Sequence, residues 1–86
     1  MQQNAKRFVY VLRSMTDPER QFVESTSNVS MRVTAHNAGH SPQTTNHRPW
    51  KVASVLQFAS EAAALRFEKY LKSSAGRAFM KLYLGG

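Results

Sequence analysis

Arg32 and His36, four residues apart, are the first candidates for chemistry in this sequence. That spacing stacks two side chains on one face of a helix. At about 100° per residue their sector borders the stripe made by Val29 and Val33, so a guanidinium and an imidazole run along the protein body rather than straight into water. Such a pair can grip a phosphate, because arginine binds it through two parallel hydrogen bonds and does not lose its charge. An ordinary surface helix with a snorkelling arginine and a solvated histidine has the same pattern. Glu68 and Tyr10 belong with the pair. Glu68 projects between Leu65 and the row of Ala64 and Leu71, where a carboxylate is costly without a partner. A lone carboxylate can hold Mg2+ when water and a substrate phosphate supply the other ligands. A tyrosine hydroxyl such as that of Tyr10 can orient or deprotonate a metal-associated water. Together these are the parts for metal-assisted phosphodiester cleavage. An internal Arg32–Glu68 ion pair would satisfy both groups without any reaction. Residue types and spacing leave both readings open.

The elements that must position these groups follow from the apolar pattern. Residues 6–13 are apolar on both faces, with Phe8, Tyr10 and Leu12 on one and Val9 and Val11 on the other, which predicts a central strand covered on both sides. Asp17-Pro18 signals a turn, and residues 21–25 return as the second strand of a hairpin. A helix is expected over 28–37, capped by Ser27 or Asn28 and ended by Gly39. Residues 38–49 form a polar loop near the upper length for a structureless connection, which points to function or mobility. The third strand is expected over 50–58, with Val52, Leu56 and Phe58 on one face and Ala53 and Val55 on the other. Ser60 caps a helix over 61–72 whose apolar arc holds Ala63, Ala64, Phe67, Tyr70 and Leu71. A break at 73–76 and a last helix over 77–84, with Phe79, Met80 and residues 82–84 inward, complete the chain. Residues 1–4 and the terminal Gly85-Gly86 read as loose ends.

Length and composition bound the function. Eighty-six residues suffice for one domain with a modest core, here expected over about 6–84 of a single 1–86 unit. Twelve Lys and Arg against five Asp and Glu give a net charge of +7, which suits nucleic acid, an anionic membrane or an acidic partner. The absence of cysteine excludes disulfides, thiolate metal sites and a thiol nucleophile. With neither an apolar run of about 18 residues nor a signal peptide, a soluble, cytoplasmic chain with no membrane role is expected.

The order of residues resembles the GIY-YIG nuclease superfamily, in particular its small, standalone single-domain bacterial members. Phe8-Val9-Tyr10 falls at the first motif and Phe22-Val23-Glu24 at the second. Thr26-Ser27-Asn28 leads into the helix with Arg32 and His36, followed by Asn37 and Gly39. Arg48-Pro49-Trp50 opens the third strand, and residues 64–72 look like the Glu-bearing helix. Each motif is weak alone; the ordered set covers residue 8 to about 81. The resemblance implies an α+β fold, a three-stranded antiparallel sheet flanked by three helices. It implies DNA cleavage at a site where Glu68 binds one Mg2+ or Mn2+ and Arg32 contacts the scissile phosphate. There Tyr10 would support the attacking water, with His36 assisting. Larger members add DNA-binding domains, so target choice here would rest on the 38–49 loop, on basic residues or on a protein partner.

Two departures fall on one surface. The second motif's Tyr is Phe22, which removes a hydroxyl, and its Gly is Glu24, which adds a carboxylate; in an alternating strand both point the same way. Weakened or absent cleavage is the simpler consequence, and service of Glu24 as a second metal ligand or replacement base is the alternative. Arg48, Lys69, Lys72 and Arg77, with Lys81, are candidates for tracking a phosphate backbone, or else form a solvated face. His40 and His47 read as solvated loop histidines, Trp50 as a packing residue and Tyr70 as core. A metal-dependent endonuclease, a non-catalytic nucleic-acid-binding module and a subunit that meets an acidic protein all remain compatible with this sequence.

Overall fold

Strand β1 (Arg7–Ser14) is the axis of the molecule in the computed structural model, which describes residues 6–85. It pairs antiparallel with β2 (Gln21–Thr26) on one side and with β3 (Trp50–Phe58) on the other, giving the order β2-β1-β3. Its two faces are both covered, as its unbroken apolar run requires. Tyr10 and Leu12 point to one face, where Trp50, Phe22, Val29 and Val33 pack with them. Val9 and Val11 point to the other and join Val23, Ala64, Leu71 and Met80 in an apolar core.

Helix α1 (Val29–Asn37) lies over the Tyr10 face. The Asn28 side chain accepts from the amide of Met31, and Gly39, with φ of 84°, supplies the left-handed turn after the helix. The 38–49 segment is ordered rather than structureless. It contains a short 3-10 turn (Thr45–His47), buries Ser41 and Thr44, and lays the Arg48 guanidinium against Gly39. The Trp50 indole donates to the Thr44 carbonyl at 2.7 Å, which confirms Trp50 as packing. The Asn37 side chain brackets the backbone of Trp50, accepting from its amide at 2.7 Å and donating to its carbonyl at 3.0 Å.

On the opposite face lie α2 (Glu61–Leu71) and α3 (Ser74–Phe79), the latter continued by a π-helical turn (Met80–Leu84). Ser60 caps α2 as expected. The predicted break at 73–76 is far shorter: Ser73 caps α3 directly, and Gly76 is inside the helix. A Cβ on Gly76 would lie 1.8 Å from the Tyr70 carbonyl oxygen, so a helix-weakening glycine is kept for close approach of the two helices. The wider π turn also changes which residues face in. Met80 is buried, whereas Leu82 and Tyr83, expected inward, are 75% and 69% exposed.

Three further expectations are corrected. β3 carries a bulge, since Val11 pairs with Ser54 and Leu12 with Val52, leaving Ala53 unopposed. The extra residue reverses the alternation, so Val52 shares the Tyr10 face while Leu56 and Phe58 share the other. Tyr70 is half-exposed rather than core, with its ring against Phe67 and Phe79. Gly85 is buried beside Arg13 and Gln21 rather than loose. The expected frayed start at residues 1–4, and Gly86, lie outside the described residues.

Candidate functional site

The register of the hairpin builds the site. Tyr10 pairs with Glu24 and Leu12 with Phe22, so one face of β1 and β2 presents a phenol, a carboxylate and an aromatic ring beneath α1. Arg32 and His36, one turn apart on α1, reach down onto them. Glu24 Oε1 accepts from the Tyr10 hydroxyl at 2.5 Å and from Arg32 Nε and Nη2 at 3.3 and 3.2 Å. His36 Nε2 lies 2.8 Å from the Tyr10 oxygen and 3.6 Å from the same Glu24 oxygen. The Phe22 ring meets the His36 ring edge-on at 5.0 Å. Three groups from two elements, β1 and α1, thus surround a single oxygen of Glu24 on β2.

Hydrogen counting assigns the protons. Tyr10 has one hydroxyl proton, and its short contact is to the carboxylate oxygen, which only accepts. The contact with His36 therefore takes its hydrogen from Nε2. His36 Nδ1 is then a lone pair and accepts from the buried Thr44 hydroxyl at 2.8 Å. Hydrogen bonds run in one direction, from Thr44 through His36 and Tyr10 to Glu24. Burial, and then the Arg32 cation, hold His36 below its ordinary value, which keeps the ring neutral as this order requires. Burial, and then the hydrogen bond and charge of Glu24, push the Tyr10 phenol well above its ordinary value of 10.0.

Glu68 comes from the other side of the sheet. Its Oε1 accepts from the amide of Ser25 at the open edge of β2, at 3.2 Å, and Lys72 Nζ binds its Oε2 at 2.7 Å. Burial by itself would raise its carboxyl; Lys72 and the bonds from Ser25 outweigh that and hold it below its ordinary 4.5. The Arg32–Glu68 ion pair weighed from the sequence does not form. Arg32 pairs with Glu24 and Glu68 with Lys72. Glu68 is therefore next to the Tyr10–Arg32–His36 cluster along β2, one residue from Glu24, rather than in contact with it.

No group of three or more His, Cys, Asp or Glu side chains is arranged to hold a metal among the described residues. Glu68 is partly buried, held in its charged form and fixed by a backbone amide on Oε1, so a divalent cation taking this single carboxylate would displace Lys72 Nζ from Oε2. Of the basic candidates, Lys72 and Arg77 adjoin, with Arg77 Nη1 donating to the Lys72 carbonyl. Lys69 is exposed on α2, and Arg48 belongs to the loop against Gly39. Sequence reasoning passed over Thr44, because no periodicity marks a buried hydroxyl inside a polar loop.

A small antiparallel sheet whose central tyrosine meets an arginine and a histidine from the following helix defines the class: an α+β domain with a polar cradle, filled by Glu24, on one sheet face. The sequence matches the GIY-YIG catalytic domain over residues 6–82, and the chain belongs to that family. It is 41% identical over 66 residues to the structure-specific endonuclease subunit SLX1 of Podospora anserina, a match that takes in 70% of this chain. The chain spans only 19% of the length of that relative. Among solved structures, the solution NMR structure of a UPF0213 protein from Bacillus halodurans matches 94% of this chain and 87% of that one. The TM-score is 0.56 at 24% identity, a likeness of fold. No helix among the described residues is long and apolar enough to cross a membrane.

Proposed function

We propose that this chain is a divalent-metal-dependent DNA endonuclease domain whose activity is held down by its own Glu24. One observation carries the proposal: the Tyr10 hydroxyl, the Arg32 guanidinium and the His36 imidazole converge on one oxygen, Glu24 Oε1. The two that donate to it, Tyr10 and Arg32, suit a non-bridging phosphate oxygen equally well, with His36 holding the phenol from behind, and a guanidinium is the side chain best shaped for it. Glu68 would hold Mg2+ or Mn2+, which when bound supplies charge neutralisation at the phosphate and acidifies a water. In that arrangement Arg32 fixes the phosphate, Tyr10 orients the water, and Thr44 and His36 keep the phenol's hydrogen bonds in order.

Glu24 opposes this chemistry twice. Its carboxylate sits where the phosphate oxygen belongs, and it engages the phosphate-binding arginine. Two like charges about 5 Å apart at an effective dielectric near 20 repel by about 3 kcal/mol. Carried by the transition state alone, that penalty slows cleavage roughly 100-fold. Phe22 adds the loss of the hydroxyl that the family's second motif supplies. The occupied cradle also favours a second reading, a nucleic-acid-binding module without cleavage. The word "subunit" in the name of the SLX1 relative supports a protein partner that sets the target.

The deciding experiment is Mg2+- and Mn2+-dependent nicking of a branched-DNA panel, run beside Glu68→Gln and Glu24→Gly. Nicking that Glu68→Gln stops and Glu24→Gly raises supports the proposal. A folded chain that binds DNA and never nicks it, with or without Glu24, is a binding module.

A further inference from the structure

The open edge of β2 leads away from the cradle into a basic groove that the cleavage chemistry does not use. Arg20 O accepts from Ser14 N on the β1 side, and Ser25 N donates outward to Glu68. Every second residue of an antiparallel strand points its backbone groups the same way. Gln21 and Val23 therefore turn their backbone groups to the open edge. Hollows adjoin one another along that edge, the largest about 330 Å3, between the hairpin and the α3 segment. Their walls carry Arg13, Lys72, Arg77 and Lys81 against one acid, Glu19. Arg13 Nε is buried there without a hydrogen-bond partner among the described residues. Phe22, whose ring touches His36 of the cradle, also lines the groove, so the two are continuous.

We propose that this groove binds the sugar-phosphate backbone of the polynucleotide strand flanking the scissile bond. The inference rests on the nuclease-type reading of the cradle and adds the path by which the strand leaves it. Four cations and outward-turned amides along one edge match a ladder of phosphates, and continuity with the cradle favours a strand entering one site over a separate acidic protein. The groove also keeps Lys72 beside Glu68, so a strand in it lies next to the candidate metal ligand.

The test is fluorescence anisotropy of a labelled single-stranded oligonucleotide with the whole chain in EDTA, across a salt series. Losing two phosphate contacts lowers the slope of log affinity against log salt by about 1.4. Arg77→Gln with Lys81→Gln is expected to produce that drop, and Arg77→Lys with Lys81→Arg to keep the original slope. Lys51→Gln with Arg66→Gln removes the same charge from exposed positions outside the groove and is expected to change the slope less. Equal effects of the two glutamine pairs would overturn the proposal, since net charge alone then governs binding. It is overturned too if the groove pair abolishes capture of a polyglutamate peptide but leaves oligonucleotide binding intact. Cleavage does not run in EDTA, so groove-dependent binding by a chain that never nicks DNA sinks the nuclease reading and keeps this one. Nicking without groove dependence does the reverse.

Discussion

The two faces of the sheet are made from the same strands and filled in opposite ways. Toward α2 and α3, β1 sends Val9 and Val11 into a core of Val23, Ala64, Leu71 and Met80. Toward α1 it sends Tyr10, which is fully buried beside His36 and Thr44. A dry face stabilises by removing apolar surface from water and tolerates no polar atom without a partner. The α1 face instead buries polar groups and must satisfy each of them, a costly arrangement unless every hydrogen bond closes. The proposed chemistry rests on the polar face, with Glu68 at the β2 edge, and stability on the dry one, so substitutions on the two faces should separate those properties.

Leu71→Ala should have the largest effect on folding. Leu71 is fully buried in the dry core, and truncating such a residue costs about 2–5 kcal/mol. Urea unfolding should show this loss. Next comes the polar face, where Glu24→Gly combined with Phe22→Tyr should raise Mg2+-dependent nicking by more than about 100-fold. Each single change should recover less. A folded double variant no more active than the starting chain would show that these residues do not limit catalysis, and loss of metal binding in Glu24→Gly would make Glu24 a ligand.

Thr44→Val should cost about 1–3 kcal/mol, because His36 Nδ1 loses its donor inside the fold. Nitrogen chemical shifts of the imidazole would report the tautomer directly: Nε2–H in the parent chain, a mixture in Thr44→Val, and restoration in Thr44→Ser. A parent ring protonated on Nδ1 would contradict the direction assigned to the hydrogen bonds. The smallest effect is on pH dependence. His36 is held below its ordinary 6.5, so the unfolded chain takes up a proton before the folded one. Stability should be complete above about 6.5 and fall as pH drops through the lowered value of the folded state. Glu68, lowered from 4.5, adds a second loss in a more acidic window. Unfolding midpoints between pH 7 and 5 that move equally with and without His36 would reassign the first of these.

Local chemistry carried most of the fold in the sequence. β3 begins and ends where its apolar run does, at Trp50 and Phe58, and Asn28 and Gly39 frame α1 as their side chain and φ freedom suggest. The shared face of Phe22 and Glu24 followed from the two-residue period. Ala53 escaped, because a bulge depends on how two strands pair and leaves no mark in one of them. So did the start of α3, where Gly76 reads as a breaker until the Tyr70 carbonyl is seen against it. In the site, Arg32 was legible as an inward cation, but its partner was not. Both Glu24 and Glu68 lie near in space, and only the side of the sheet each helix occupies decides between them.

Asn37 gives the outer edges of the sheet unequal exposure. By holding both the amide and the carbonyl of Trp50, its side chain impersonates one residue of a neighbouring strand at the start of β3. An exposed edge is otherwise a template on which another molecule's backbone can add itself. Here the docking place at the Trp50 end is already taken by a group that cannot propagate a ladder. At high concentration, self-association of this small basic domain is thereby denied the Trp50 end of β3 as a place to begin.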